Sequence, residues 1–435
     1  MSDRGRVLLV PFGSAGDVHP LVAMGLELER RGLETLTLVA PAFERTVERA
    51  GLPTRALRAE DSWDEMVAGA REWSPDARER ARRQGHTLEN TWGARIGRLF
   101  RESRPLAEAF APGVVVGNAV SMHGVLLAEA LGRPWIGASL SPTNWMSADD
   151  LPLRGSAGWP RRLPRPLRSA YNAAVRLAVE HSLDPVMNAL RAEAGLPPRR
   201  RNFYDVPMRG AAALALYSPA FRAPASDDPP GLVTCGFTWF ERSGEYGDHA
   251  HALAPRLERF LDAGEPPIVV SPGTVRAHAN AEIFDLAIAA CQRIGRRAVL
   301  VTGDGHGGRF DGVANALRVD YAPYSALLHR GALTVHHGGA GTLAWAIRAR
   351  RPMVVTPMGL DQFDHGARVE RLGIGASIPL ASLTAGRLAG AMDRLLGDPA
   401  ARERVERLGA IVEREDGAAV AADHVERVVR GERGA

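Results

Sequence analysis

Short apolar runs of four to six residues alternate with amphipathic segments of ten to fifteen, the pattern of strand–helix units that build a parallel sheet. In the first half this predicts buried strands at Val7–Phe12, Leu36–Ala40, Val114–Gly117 and Trp135–Leu140. Helices are expected at Pro20–Arg31, Phe43–Ala50 and Met122–Leu131. Pro20 is read near a helix start, where its missing N–H costs nothing and its fixed φ helps. Gly32 and Gly51 fall where helices end. Trp63–Ala109 is helical in pattern and lacks strands, as an insertion carrying a ligand pocket would. The Pro-rich stretch Pro219–Pro230 then breaks the periodicity. Beyond it the alternation restarts, with strands expected at Ile268–Ser271, Ala298–Val301, Leu333–His336 and Met353–Thr356. The helices expected between and after them are Asn280–Ile294, Thr342–Arg350 and His365–Leu372, and the amphipathic segment Gly417–Arg430 closes the pattern.

Two consecutive α/β blocks predict two Rossmann-like domains whose parallel sheets face an inter-domain cleft, with ligands at the carboxyl ends of the strands. The expected division is an N-terminal domain over 1–218, a linker over 219–235 and a C-terminal domain over 236–415. The final helix, 416–435, is expected to pack back on the N-terminal domain. A length of 435 residues suits two or three domains, and 45% hydrophobic with 24% charged residues excludes a disordered or collagenous chain. No run of 18 apolar residues occurs, and the start, Met1–Arg6, leads into a strand-like run rather than a signal-peptide core. Two cysteines, Cys235 and Cys291, cannot staple a chain this long, so a cytoplasmic enzyme is expected.

Charge adds little. Every one of the 54 basic residues is Arg, but the net charge is only +4 because Arg and Glu are interleaved. Nucleic-acid binders concentrate basic residues and interleave aromatics, and that pattern is absent. The clusters Arg161, Arg162, Arg165, Arg168 and Arg199–Arg201 are read as solvated surface, with an anionic membrane or acidic acceptor as the alternative.

Four loops carry chemistry, each following a predicted strand. Gly13-Ser14-Ala15-Gly16-Asp17-Val18-His19-Pro20 does not match the G-x-G-x-x-G dinucleotide fingerprint. It holds a titratable pair, Asp17 and His19, although Asp17 could equally cap the helix and His19 could be a surface residue. Val335-His336-His337-Gly338-Gly339-Ala340-Gly341-Thr342 opens a helix, whose free N–H groups and positive dipole end suit a phosphate. Glycines there also fit a plain tight turn. Metal binding by His336 and His337 is disfavoured, because neighbours on a strand point to opposite faces and no third ligand is spaced nearby. In Pro357–His365, Asp361 and Gln362 can bind vicinal hydroxyls, as in a sugar, or can simply cap a helix. Val270-Ser271-Pro272-Gly273-Thr274 ends a strand in a small, hydroxyl-bearing turn.

Taken together, these loops resemble those of the family-1 glycosyltransferases of the GT-B fold. His336–Gly373 resembles the donor-binding signature in order and spacing, and Gly13–Gly32 resembles the N-terminal acceptor loop of bacterial members. Those members include glycolipid rhamnosyltransferases and natural-product glycosyltransferases. The resemblance implies that His337, Gly339, Gly341, Thr342 and Thr274 bind the donor diphosphate, and that Asp361 and Gln362 hold the transferred sugar. It further implies that Tyr321 and Ala322 border the nucleobase, and that Asp17 is the catalytic base with His19 as alternative base or orienting partner. Two positions depart from the family. Where UDP-sugar enzymes commonly carry a ribose-binding Glu, this chain has Trp345, which favours a dTDP-sugar. Where His-based members place an orienting Asp, it offers Asn118 and Ser121.

The activity so implied is an inverting, metal-independent transfer of a hexosyl group from a nucleoside-diphosphate sugar, with no cofactor. The N-terminal domain would bind the acceptor and the C-terminal domain the nucleotide sugar. Six of eight Trp residues lie before the expected linker, which suits a hydrophobic aglycone such as a polyketide or macrolide if they are not simply core. Trp63, His123 and Asn144 are candidate acceptor contacts. Alternatives are a glycolipid rhamnosyltransferase, a non-catalytic sugar-nucleotide-binding partner protein, or a sugar-nucleotide epimerase. No nucleic-acid partner or stable membrane insertion is expected, and the chain would be a monomer or homodimer.

Overall fold

The apolar runs become strands because they are buried on both faces, as parallel sheets require: Val7, Leu8, Leu9 and Val10 are all solvent-inaccessible. The computed structural model describes residues 5–60, 88–153, 155, 158–205, 207–208, 210–241, 252–273, 281–303, 306 and 308–432. The chain divides into two units, Met1–Pro152 with Trp159–Phe240 and Asp416–Ala435, and Leu153–Gly158 with Glu241–Glu415.

The first unit holds a seven-stranded parallel sheet: β1 (Arg6–Val10), β2 (Glu34–Val39), β3 (Thr54–Ala56), β4 (Val114–Asn118), β5 (Trp135–Ser139), β6 (Ala212–Ala215) and β7 (Leu232–Thr234). Its spatial order is β3-β2-β1-β4-β5-β6-β7. The second unit holds six parallel strands: β8 (Ile268–Ser271), β9 (Ala298–Val301), β10 (Ala316–Val319), β11 (Leu333–His336), β12 (Met353–Val355) and β13 (Gly375–Ser377). Their order is β10-β9-β8-β11-β12-β13. Each sheet therefore reverses direction of growth once, between β1 and β4 and between β8 and β11. Such a reversal splays the adjoining loops apart and is where doubly wound sheets bind ligands. The β1 and β4 loops carry Asp17 and Asn118, and the β8 and β11 loops carry Gly273 and His337.

Two expectations need correction. The first helix runs Ala15–Arg30, so Pro20 lies inside it rather than at its start. The Asp17 carboxylate accepts the Ser14 N–H (2.8 Å) and fixes the start upstream, while Pro20 forfeits one N–H bond to the carbonyl of Gly16. Residues 219–235, expected as a linker, are packed into the first unit: Leu232–Thr234 pairs with β6 as the edge strand. Arg222, 3% exposed, ties this stretch down through Asp228 (2.6 Å) and Asp150 (3.2 Å). Its prolines mark turns over a buried ion pair.

The helix Gly417–Val429 belongs to the first unit. There Arg31 bonds Asp423 (2.5 Å) and the Ala419 carbonyl (3.0 Å). Gly417 lies so close to the Gly236 and Phe237 carbonyls that a Cβ would approach them within 2.4 and 2.5 Å. Only glycine fits there. No helix among the described residues is long and apolar enough to cross a membrane.

Candidate functional site

In the first unit the chemistry sits just past β1. Gly13 has φ +127°, and a Cβ there would approach Asp17 Oδ2 within 2.4 Å, so glycine lets the carboxylate fold against the loop. Asp17 Oδ2 accepts both the Ser14 N–H (2.8 Å) and the Ser14 hydroxyl (3.0 Å). Its Oδ1 accepts from Asn118 Nδ2 (3.3 Å), at the end of β4. The Asn118 amide is itself oriented: it accepts the Phe12 N–H (3.0 Å) and donates to the Phe12 carbonyl (2.7 Å). Both amide hydrogens are thereby used, one on the backbone and one on Asp17. Asp17 is not the helix cap itself: Ser14 is, and Asp17, at the third helical position, completes a capping box on it and also takes an orienting amide from the neighbouring strand. Asn118 stands where the His-based members of the resembled family place an orienting Asp, and here its amide orients the Asp17 carboxylate.

His19 lies one turn into the helix, its ring edge-on to Phe240 with centroids 5.0 Å apart. His123 is 1% exposed, packed edge-on to Phe12 at 5.8 Å. Burial and the nearby Arg95 charge push its pKa down to about 3, so the ring is neutral. Asn144, half-buried in the turn Pro142–Trp145, donates to Ser139 Oγ (2.7 Å). Trp63 lies outside the described residues.

In the second unit the β8 and β11 loops meet. Gly273 has φ +94°, and a Cβ on it would fall within 2.3 Å of the His337 ring, so the imidazole lies directly against this glycine. Thr274, the next residue, lies outside the described residues. After His337 the chain turns through Gly338 into the helix Ala340–Arg348, whose N-cap is Gly339 and whose end carries no side-chain cap. The first N–H groups of a helix have no intrahelical partner, and here no side chain among the described residues caps them. A Cβ on Gly341 would meet nothing within 4 Å among the described residues, which leave this face of the tip open. Thr342 is buried in the same turn. The arrangement can bind an anion through backbone N–H groups, with His337 beside it.

Past β12, Asp361 stands at the N-cap position of the helix Gln362–Arg371 without a side-chain capping bond. Gln362 accepts the Met358 N–H through Oε1 (3.0 Å), which orients its amide and leaves the NH2 as donor. Tyr321 and Ala322 follow the edge strand β10, Ala322 buried and Tyr321 half-buried. Tyr324 is hydrogen-bonded to Ser271 at the end of β8. At Trp345 the indole carries the Arg348 guanidinium over its face at 5.1 Å, so no carboxylate stands at that position. Among the described residues no group of three or more His, Cys, Asp or Glu could hold a metal ion.

Comparison with known proteins agrees with this fold. Residues 287–422 match the family described as erythromycin biosynthesis protein CIII-like, C-terminal domain. The chain is 32% identical to O-mycaminosyltylonolide 6-deoxyallosyltransferase of Streptomyces fradiae, over 95% of this chain and 94% of that one. Among solved structures, the glycosyltransferase of kitacinnamycin superposes with a TM-score of 0.71 at 21% identity, covering 97% of this chain and 98% of that chain. Glycosyltransferase VinC in complex with dTDP superposes with a TM-score of 0.67 at 18% identity, covering 98% of this chain and 100% of that chain. The chain belongs to the family-1 glycosyltransferases of the GT-B fold and is a glycosyltransferase of the natural-product type.

Proposed function

We propose that this enzyme transfers a sugar, with inversion and without a metal, from a dTDP-sugar to a hydroxyl of a hydrophobic natural-product acceptor. The observation that carries the reading is the uncapped helix tip at Gly339–Thr342, with His337 on one side and Asp361 and Gln362 on the next loop. An acceptor oxygen attacks the anomeric carbon opposite the leaving diphosphate, through an oxocarbenium-like transition state. Negative charge grows on the diphosphate as the bond breaks. Donors already aimed at that charge act most strongly in the transition state, because they need not reorganise. The helix-tip N–H groups, His337 and Thr342 are such donors. Asp17 takes the proton of the attacking hydroxyl late in the step, once the oxygen has begun to bond. The preference for dTDP rests on Trp345, which leaves that position without an acceptor for a ribose diol, and is supported by the dTDP held by VinC.

A thermal-shift screen of dTDP, UDP and GDP tests the donor. At a ligand concentration about 100-fold above Kd, dTDP should raise Tm by roughly 5–10 °C, and more than UDP or GDP. A larger shift with UDP overturns the dTDP assignment, and no shift with any of them overturns the site. His337→Ala should weaken dTDP binding and lower kcat/KM for the donor by roughly 10–100-fold, the worth of a hydrogen bond to a charged group. Calorimetry showing unchanged dTDP affinity in that variant would remove His337 from the diphosphate.

A further inference from the structure

The two peptides that flank one glycine in the second unit are held by two buried histidines that the reaction does not use. Gly338, between His337 and the N-cap Gly339, has φ +92°. A Cβ on it would approach Val355 within 2.7 Å and the Gln362 carbonyl within 3.3 Å, so the backbone is wedged between β12 and the start of the next helix. Its N–H donates to His336 Nδ1 (3.1 Å), and its carbonyl accepts from His365 Nδ1 (2.7 Å). His336 and His365 are 0% and 1% exposed. Buried backbone polar groups must be hydrogen-bonded, and here the N–H of the His337–Gly338 peptide and the carbonyl of the Gly338–Gly339 peptide are both satisfied by side chains.

We infer that His336 and His365 are positioning residues that clamp the two peptides flanking Gly338 and so aim the diphosphate-binding helix tip. The inference rests on the proposed donor site. Gly338 is bonded on one side to His337 and on the other to Gly339, so rotation of the first peptide would turn the imidazole, and rotation of the second the first N–H groups of the helix, away from a bound anion. The clamp also fixes two tautomers. His336 accepts at Nδ1 and therefore carries its hydrogen on Nε2, whereas His365 carries one on Nδ1. His365 is four residues beyond Asp361 on one helix face, and its Nε2 lies 3.9 Å from Asp361 Oδ2. The sugar-binding turn and the diphosphate-binding turn are thus joined through one imidazole.

The test uses the full chain with dTDP and UDP as probes, measured by calorimetry beside the apo Tm. His365→Phe keeps the ring volume and loses the donor, whereas His365→Gln can still donate to the Gly338 carbonyl. The Phe variant should bind the preferred nucleotide about tenfold more weakly with little change in Tm, and Gln should recover most of that loss. A Phe variant that folds and binds with wild-type affinity, or a Gln variant no better than Phe, overturns the clamp. His337→Ala separates the two layers: if it too leaves affinity unchanged, the donor site has failed rather than the clamp. Should the Phe variant not fold, nitrogen NMR of the imidazoles in the unaltered chain decides. Nε2–H at His336 and Nδ1–H at His365 support the clamp, and the reverse tautomers overturn it.

Discussion

Asp17→Asn is expected to lower sugar transfer by roughly 10²–10⁴-fold, the usual contribution of a positioned base, while dTDP affinity stays near wild type. The substitution is nearly isosteric, so the loop should survive it. A carboxylate offers two acceptor oxygens, and three donors converge on it: the Ser14 N–H, the Ser14 hydroxyl and Asn118 Nδ2. The substituted amide would keep one oxygen and present an NH2 to one of these donors, which costs about 1–2 kcal/mol and a few degrees of Tm. That loss is small beside the kinetic one. The measurement is single-turnover transfer under donor saturation, with dTDP binding as the control. An Asp17→Asn enzyme retaining more than about a tenth of wild-type turnover takes Asp17 out of the proton transfer and leaves His19 as the base. Asn118→Ala should give an intermediate defect, because it releases both Asp17 and the Phe12 peptide without removing the carboxylate.

What could be read from sequence follows the range of the forces involved. The strands Ile268–Ser271, Ala298–Val301 and Leu333–His336 were legible because they are buried on both faces and read as unbroken apolar runs. Gly375–Ser377 is a strand with no such signal, since Gly-Ala-Ser becomes extended only by pairing with β12 at the sheet edge. The glycine-rich turn into the helix Ala340–Arg348 was legible because glycines before a helix are a local pattern. The Asn118 contact to Asp17 spans 101 positions and the Gly338–His365 bond spans 27, so neither leaves a local trace. His365 stood at the end of a recognised motif without a role, and only the neighbouring strand-end loop supplies one. The Pro-rich stretch misled for the same reason, since composition marks its turns but not the burial of Arg222 with Asp228 and Asp150.

Acidification from pH 6.5 to 5 should destabilise both units before the ion-paired carboxylates are protonated in force, whereas Glu180, raised by burial, acts with the opposite sign. Burial holds His123 in the first unit and His336 in the second down to about 3, helped by the charge of Arg95 and of His337 respectively. Unfolded, each titrates near 6.5. The stabilisation from their neutral state is complete above that value. As the pH falls below it, the unfolded chain binds protons that the folded chain refuses, and each histidine costs roughly a factor of ten in its folding equilibrium per pH unit until about pH 3. His424, also lowered by burial and Arg427, adds to the loss in the first unit with the same sign. Carboxylates lowered by ion pairs act in a separate window: Glu27, held at about 2 by Arg30, loses its contribution only as the pH falls below about 4.5. Urea midpoints measured between pH 7.5 and 5 therefore report the histidines. His123→Leu removes two buried ring nitrogens that have no hydrogen-bond partner among the described residues, and it should flatten the pH dependence of the first unit. His336→Asn keeps an acceptor for the Gly338 N–H without a titrating ring, and it should do the same for the second. A double variant whose midpoint falls as steeply with pH as wild type would show that neither imidazole is held neutral by the fold.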